Sequence, residues 1–224
     1  MARSKVIKDL ASGKVPIDVA MKQLKVLLTD FEKPEILKWV DSELQGYDVD
    51  DCLPNYRILQ GNLVGNFLNY YTKATHVSIP LSADAPKGLV ELCSHVKLYE
   101  SLSGLKTLIS SDEELRMQIN ALLLPNIQKY SLISMTALLN ASVIFSKIQV
   151  QDVLSKTENK MMDIFLLLEK KFGNLDEMDI DLSMKTKDEL SSISNTIMVT
   201  IYNDNSIRVG NDNKMIGTNI STTK

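Results

Sequence analysis

A chain of 224 residues with 44% apolar residues is long enough for one substantial core plus an appendage, and its composition is that of an ordinary globular protein. A net charge of −3 and a pI near 5.5 argue against nucleic-acid binding as a bulk property, so no nucleic-acid partner is expected. Two cysteines, Cys52 and Cys93, are too few for a disulfide framework, the basic N-terminus lacks the apolar run of a signal peptide, and no stretch reaches the ~18 uncharged apolar residues of a membrane span; the expected location is the cytoplasm.

Residues 1–45 read as three helices. Val6, Ile7 and Leu10 give the first its apolar face, and Gly13 ends it. Pro16 and Asp18 open the second, which carries Val19, Leu24, Leu27 and Leu28. Pro34 stands at the first helical position of the third, whose face holds Ile36, Leu37, Val40 and Leu44 and whose stop is Gly46. The first forty residues hold eight Lys/Arg against five Asp/Glu, the pattern of a solvated helix face.

From Tyr47 onward the pattern turns to strands. Residues 56–65 and 74–80 are rich in aromatic and β-branched types, with Gly61 and Gly65 marking bulges and Pro80 closing the second run. A short helix and then a strand at Ser94–Tyr99 follow. Residues 102–109 read as helix, 115–119 as either type, and a helix begins near Asn126. The remainder up to 145 is not settled by periodicity. The clearest helix is 150–172: Val150, Val153, Leu154, Met161, Ile164, Phe165, Leu168 and Phe172 repeat at helical spacing, and Thr157 is the one stripe position without an apolar group. Residues 174–194 hold six Asp/Glu and two Lys, a linker-like composition. The expected fold class is therefore α+β: a helical N-terminus packed on a small, mainly antiparallel sheet, a long amphipathic helix closing the domain, and a short C-terminal β tail. The expected divisions are 1–173 (the α+β domain), 174–194 (an acidic linker) and 195–224 (an Asn-rich, β-forming tail).

No catalytic constellation is visible. Cys52, His76, Cys93 and His95 are the soft ligands besides methionine, but their spacing matches none of the usual zinc pairs, so no metal is expected. A Cys93 thiolate with a histidine base lacks any nucleophile-elbow context. Asp48, Asp50 and Asp51 cluster as a turn would. The run from Gly61 to Gly65 is not a phosphate-binding loop, and no cofactor is expected. Trp39 reads as a core or interface anchor.

One pattern carries more. Residues 37–57 run Leu-Lys-Trp-Val-Asp-Ser-Glu-Leu-Gln-Gly-Tyr, then an acidic loop, then Leu-Pro-Asn-Tyr-Arg. This resembles the AbiTii family of bacterial abortive-infection proteins, in which a helix ending Trp…Glu-Leu-x-Gly-Tyr is followed by a variable loop and Leu-Pro-x-Tyr-Arg. The match falls on Trp39, Glu43, Leu44, Gly46, Tyr47, Leu53, Pro54, Tyr56 and Arg57, and extends in general character over about residues 1–173. The resemblance implies anti-phage defence through growth arrest or death of the host, and brings no catalytic residue with it. In physical terms, Arg57 can pair with Glu43 or with an aspartate of the acidic loop. The motif either pins the helical N-terminus to the sheet or forms a recognition surface.

In the tail, Ile197, Val199 and Ile201 alternate with Met198, Thr200 and Tyr202 at strand period. Ile207-Arg208-Val209-Gly210-Asn211-Asp212-Asn213 resembles the amyloid-type signalling core Ile/Val-Gln-Ile/Val-Gly-x-x-Asn, with Arg208 in place of Gln. Such a segment can pair with copies of itself, dock on its own domain or stay unstructured; in-register pairing, with Ile197, Val199, Ile201, Ile207, Val209, Gly210 and Asn213 on the shared strands, is the expected use. The functional expectation is a non-enzymatic defence protein that forms a homo-oligomer through this tail and meets a phage or host protein. The alternatives are an enzyme, nuclease or hydrolase, with a site dispersed in sequence, and a monomeric binding module.

Overall fold

In the computed structural model, residues 3–31 and 33–202 are described. Three helices open the chain: α1 Lys5–Ala11, α2 Ile17–Leu28 and α3 Pro34–Gln45. Each boundary has a local cause. Gly13 lies at φ +67 after α1, Pro16 caps α2, and Pro34 begins α3. The α2–α3 hairpin buries Met21, Leu24, Leu28, Ile36, Trp39 and Val40, and the ion pair of Lys25 with Asp41 clips its outer side.

Among the described residues, the strands form two antiparallel arrays. β1 (Ile58–Gln60) pairs with β4 (His95–Lys97). β2 (Asn62–Asn69), β3 (Thr72–Ser78), β5 (Arg116–Gln118) and β6 (Ala137–Ile144) make a sheet in the order β3-β2-β6-β5. The expected strand 56–65 is divided into β1 and β2, β2 runs on to Asn69, and β3 starts at Thr72 rather than 74, so the hairpin turns at Tyr70-Tyr71. Tyr70 takes φ +54 there, and its N–H donates to Thr136 Oγ1 at 2.9 Å. A bulge sets Asn66 against Thr75 and His76, with His76 N–H donating to Asn66 Oδ1 at 2.7 Å. Gly65 stands beside that bulge because strands crowd it: a Cβ would lie 2.7 Å from the Asn140 carbonyl oxygen. β6, a central strand, escaped the sequence reading. Its run Ala-Leu-Leu-Asn-Ala-Ser-Val-Ile buries Ala141, Ser142 and Val143 in succession, so no alternation betrays it.

Short helices α4 (Lys87–Ser94) and α6 (Leu124–Tyr130) pack on the sheet, and α5 (Leu102–Ser110) packs on α7 (Lys147–Phe172). Helix α7 begins in a full capping box, Ser146 with Gln149, which satisfies two otherwise orphaned N–H groups. Its stripe Val150, Val153, Met161, Ile164, Phe165 and Leu168 is buried against α1, α2 and α8. Thr157 stays on that stripe by donating its hydroxyl to Val153 O, at 3.0 Å.

Two expectations for the C-terminal part are corrected. Residues 174–194 do not behave as a linker: Leu175 and Ile180 are buried, and helix α8 begins at Lys187. Residues 195–202, expected as strand, are the second half of α8 (Lys187–Tyr202). Ile193, Ile197 and Ile201 recur every four residues, and all three are buried; Val199, which a strand would align with them, is 55% exposed. The hydrophobic contact with α3 and α7 selects the helical period over the strand period. Ile207, Val209, Gly210 and Asn213 lie outside the described residues. The α+β class, the helical N-terminus, the small antiparallel sheet and the long α7 are as expected.

The two ends of the domain are tied together. Glu169 on α7 accepts from Ser4 N at 2.6 Å and Ser4 Oγ at 2.7 Å, and it pairs with Arg3. Leu175 N donates to the same Ser4 hydroxyl at 2.9 Å. The Ser4 hydroxyl and N–H hold the Glu169 carboxyl down to about 2.

Candidate functional site

The residues of the Trp…Tyr-Arg pattern converge on one buried point. Helix α3 delivers Trp39 and Glu43 from the same face, four residues apart. Gly46 then takes φ +103, outside the range of L side chains, and a Cβ there would lie 3.0 Å from Tyr99 O. This turn lets Tyr47 N–H donate to that carbonyl at 2.7 Å and swings the Tyr47 ring back toward Glu43. After the acidic loop, Pro54 leads a single turn of 3-10 helix, Asn55–Arg57, which brings Tyr56 and Arg57 to the same place.

There the polar atoms satisfy one another. Arg57 meets Glu43 side-on, Nη2 to Oε2 at 2.5 Å and Nε to Oε1 at 3.0 Å, and both side chains have no exposure. Glu43 Oε1 also accepts from Tyr47 OH at 2.8 Å and Tyr56 OH at 2.7 Å. Trp39 Nε1 donates to Tyr56 OH at 2.9 Å. Arg57 Nη1 donates to Leu98 O and Glu100 O, at 3.2 and 2.7 Å, and its guanidinium lies 4.7 Å from the centre of the Tyr47 ring. Of the two pairings open to Arg57 in the sequence, the one with Glu43 is formed. Burial opposes the Arg57 charge, yet the Glu43 carboxylate outweighs it and holds the guanidinium above its ordinary value. Burial, reinforced by the charge of Glu43, pushes both phenols far up, so they act here as neutral donors. A buried ion pair is stable only with such complete geometry.

Lys160 on α7 completes the cluster, a second non-apolar position on the stripe beside the expected Thr157. It is 8% exposed. Its ammonium lies 5.3 Å over the Tyr56 ring and donates to Thr200 O in the last turn of α8 at 2.7 Å, where a cation favours a helix end. The signal was present: Lys160 falls three residues after Thr157 and four before Ile164, on the stripe itself.

The other candidates are dispersed. Asp51 closes its own loop, accepting from Asp48 N at 2.9 Å and pairing with Lys38 at 2.6 Å, while Asp50 points to solvent. Leu53 is half-buried and Pro54 buried. Cys52 is exposed in that loop and His76 lies on β3. Cys93 lies in the last turn of α4, not on a strand, and burial pushes its thiol up to about 11, which disfavours the thiolate a nucleophile needs. His95 is engaged at both nitrogens, by Gln60 Nε2 at 2.8 Å and Ser94 Oγ at 2.9 Å. Among the described residues, no three His, Cys, Asp or Glu side chains group as metal ligands would, and no helix is long and apolar enough to cross a membrane.

A carboxylate–guanidinium pair clasped by two tyrosines and a tryptophan, joining a helical N-terminus to a strand pair, defines a protein whose signature motif is an internal hub. The family model AbiTii matches residues 4–193, and the chain belongs to the AbiTii family, which implies abortive-infection defence against phage. No curated protein and no solved structure matches the chain.

Proposed function

We propose that this chain acts in abortive infection by binding and assembly rather than by catalysis. Its domain meets a phage or host protein, and copies of the chain associate through the sequence that contains Ile207, Val209, Gly210 and Asn213. The observation that carries the reading is the sealed state of the family motif. Trp39, Glu43, Tyr47, Tyr56 and Arg57 spend their side-chain polar atoms on one another and on the Leu98 and Glu100 carbonyls, so the motif holds a platform in shape. Burial raises the Cys93 thiol and hydrogen bonds hold both nitrogens of the His95 ring. Ile197 and Ile201 are buried in α8, which leaves the assembly role to the residues after Tyr202.

The test is light scattering on the intact chain, on Val209→Pro and on a chain ending at Tyr202, alongside a phage challenge. Proline removes a ladder N–H and is excluded from central strands. Both altered chains should be folded and monomeric, should lack the higher mass of the intact chain, and should fail to protect. A monomeric intact chain, or protection by the shortened one, overturns the assembly reading.

A further inference from the structure

We propose that the cleft between the α2–α3 turn and α8 is a binding site for a small organic anion with an apolar body. The cleft encloses about 400 Å³, within the range of small-molecule sites. Its floor is Phe31 and Ser194, both buried. Phe31 is itself fixed edge-on against Phe172, with ring centres 6.0 Å apart. Leu182 and Leu190 form apolar walls, and Lys33 and Lys187 stand at the rim.

Ser194 is the observation that points to a ligand. It is 3% exposed, it lines the cleft, and its hydroxyl has no hydrogen-bond partner among the described residues. Serine on a helix ordinarily returns its hydroxyl to the carbonyl four residues back, as Thr196 and Thr200 do on this same helix. The Ser194 hydroxyl instead opens into the cleft, where its donor and acceptor are available to whatever enters, and a ligand that covers it has to offer a hydrogen bond. The charge favours an anion. Lys33 gives one bond to Asn195 Oδ1 at 3.2 Å, which leaves two ammonium donors, and Lys187 stands in the first turn of α8, where the helix end adds positive potential. Asp30 is the acidic residue in the lining, so an anion would be held at the lysine side, with its apolar body on Phe31, Leu182 and Leu190.

A ligand here touches the α2–α3 turn, the 182–184 turn and α8 together. It therefore binds the docked position of α8 and stabilises it by mass action. This inference stands independently of the assembly reading.

The probe is 1-anilinonaphthalene-8-sulfonate, an aromatic sulfonate, titrated into the full chain by fluorescence and followed by hydrogen exchange. A single saturable class of binding is expected, with slower exchange over 187–202. Ser194→Leu fills the cleft, and the pair Lys33→Glu with Lys187→Glu reverses the rim; each should weaken binding by about tenfold or more. The lysine changes are at the surface and keep the proposal testable if Ser194→Leu does not fold. Lys73→Glu, distant on β3, should bind as the unaltered chain does. Absence of saturable binding, or affinity unchanged by the rim reversal, overturns the proposal.

Discussion

Glu43 and Arg57 exchange two hydrogen bonds without any contact with water, so neither tolerates loss of the other. Glu43→Gln leaves the guanidinium without a counter-charge and should cost roughly 3–5 kcal/mol in urea unfolding. Arg57→Met in the same chain should recover part of that loss; if the double variant is less stable than Glu43→Gln alone, the charge is not the source of the cost. Trp39→Ala removes a ring that is 1% exposed and the donor to Tyr56, and should cost roughly 3–5 kcal/mol. Gly46→Val should also fail to fold normally, because a β-branched residue cannot hold φ +103 and its Cβ meets Tyr99 O. The sequence placed these residues together through the motif and left Arg57 with two possible partners. It could not choose between them, since the choice rests on the depth at which α3 packs, set by contacts distant in the chain.

At the scale of elements, the helices with local punctuation were legible: Pro16, Pro34 and Gly46 mark their ends whatever surrounds them. Helix α8 was not, because Ile197, Val199 and Ile201 satisfy a strand period while Ile193, Ile197 and Ile201 satisfy a helical one. β-branched residues favour the former intrinsically, and only the surface of α3 and α7 decides for the latter. The two readings separate by experiment. In the helix, Ile197→Ala opens a buried site and should cost roughly 2–4 kcal/mol, whereas Val199→Ala should be neutral or slightly stabilising, since alanine is the better helix former. Equal, large losses at both positions in thermal unfolding would restore the strand. The lysine of α7 was overlooked for a related reason: a charged residue on an apolar stripe is read as a flank until its partner, here the end of α8, is known.

Across the whole molecule, the clasp of Glu169 on Ser4 joins the start of the chain to the end of α7. Its carboxyl is held at about 2 against an ordinary 4.5. A depressed carboxyl stabilises the fold above its unfolded value and loses that contribution as pH falls toward its folded one. The stability difference between the unaltered chain and Glu169→Gln should therefore be full at neutral pH, shrink below about 4.5 and vanish near 2. A difference that stays constant over that window would mean that the carboxylate charge plays no part in the clasp.

The hold of Lys160 on the Thr200 carbonyl has a mechanical side. A load drawn through the chain beyond Tyr202 enters α8 at its last turn, where Tyr202, packed against the core, then Ile201 and the Lys160 ammonium are the restraints it meets. Detachment then runs backward along the helix, past Ile197 and then Ile193, so the bonds break in turn rather than together. The same ammonium rests on Tyr56, whose hydroxyl is bound to Glu43. Tension on the end of α8 is thus passed on to side chains that define the family.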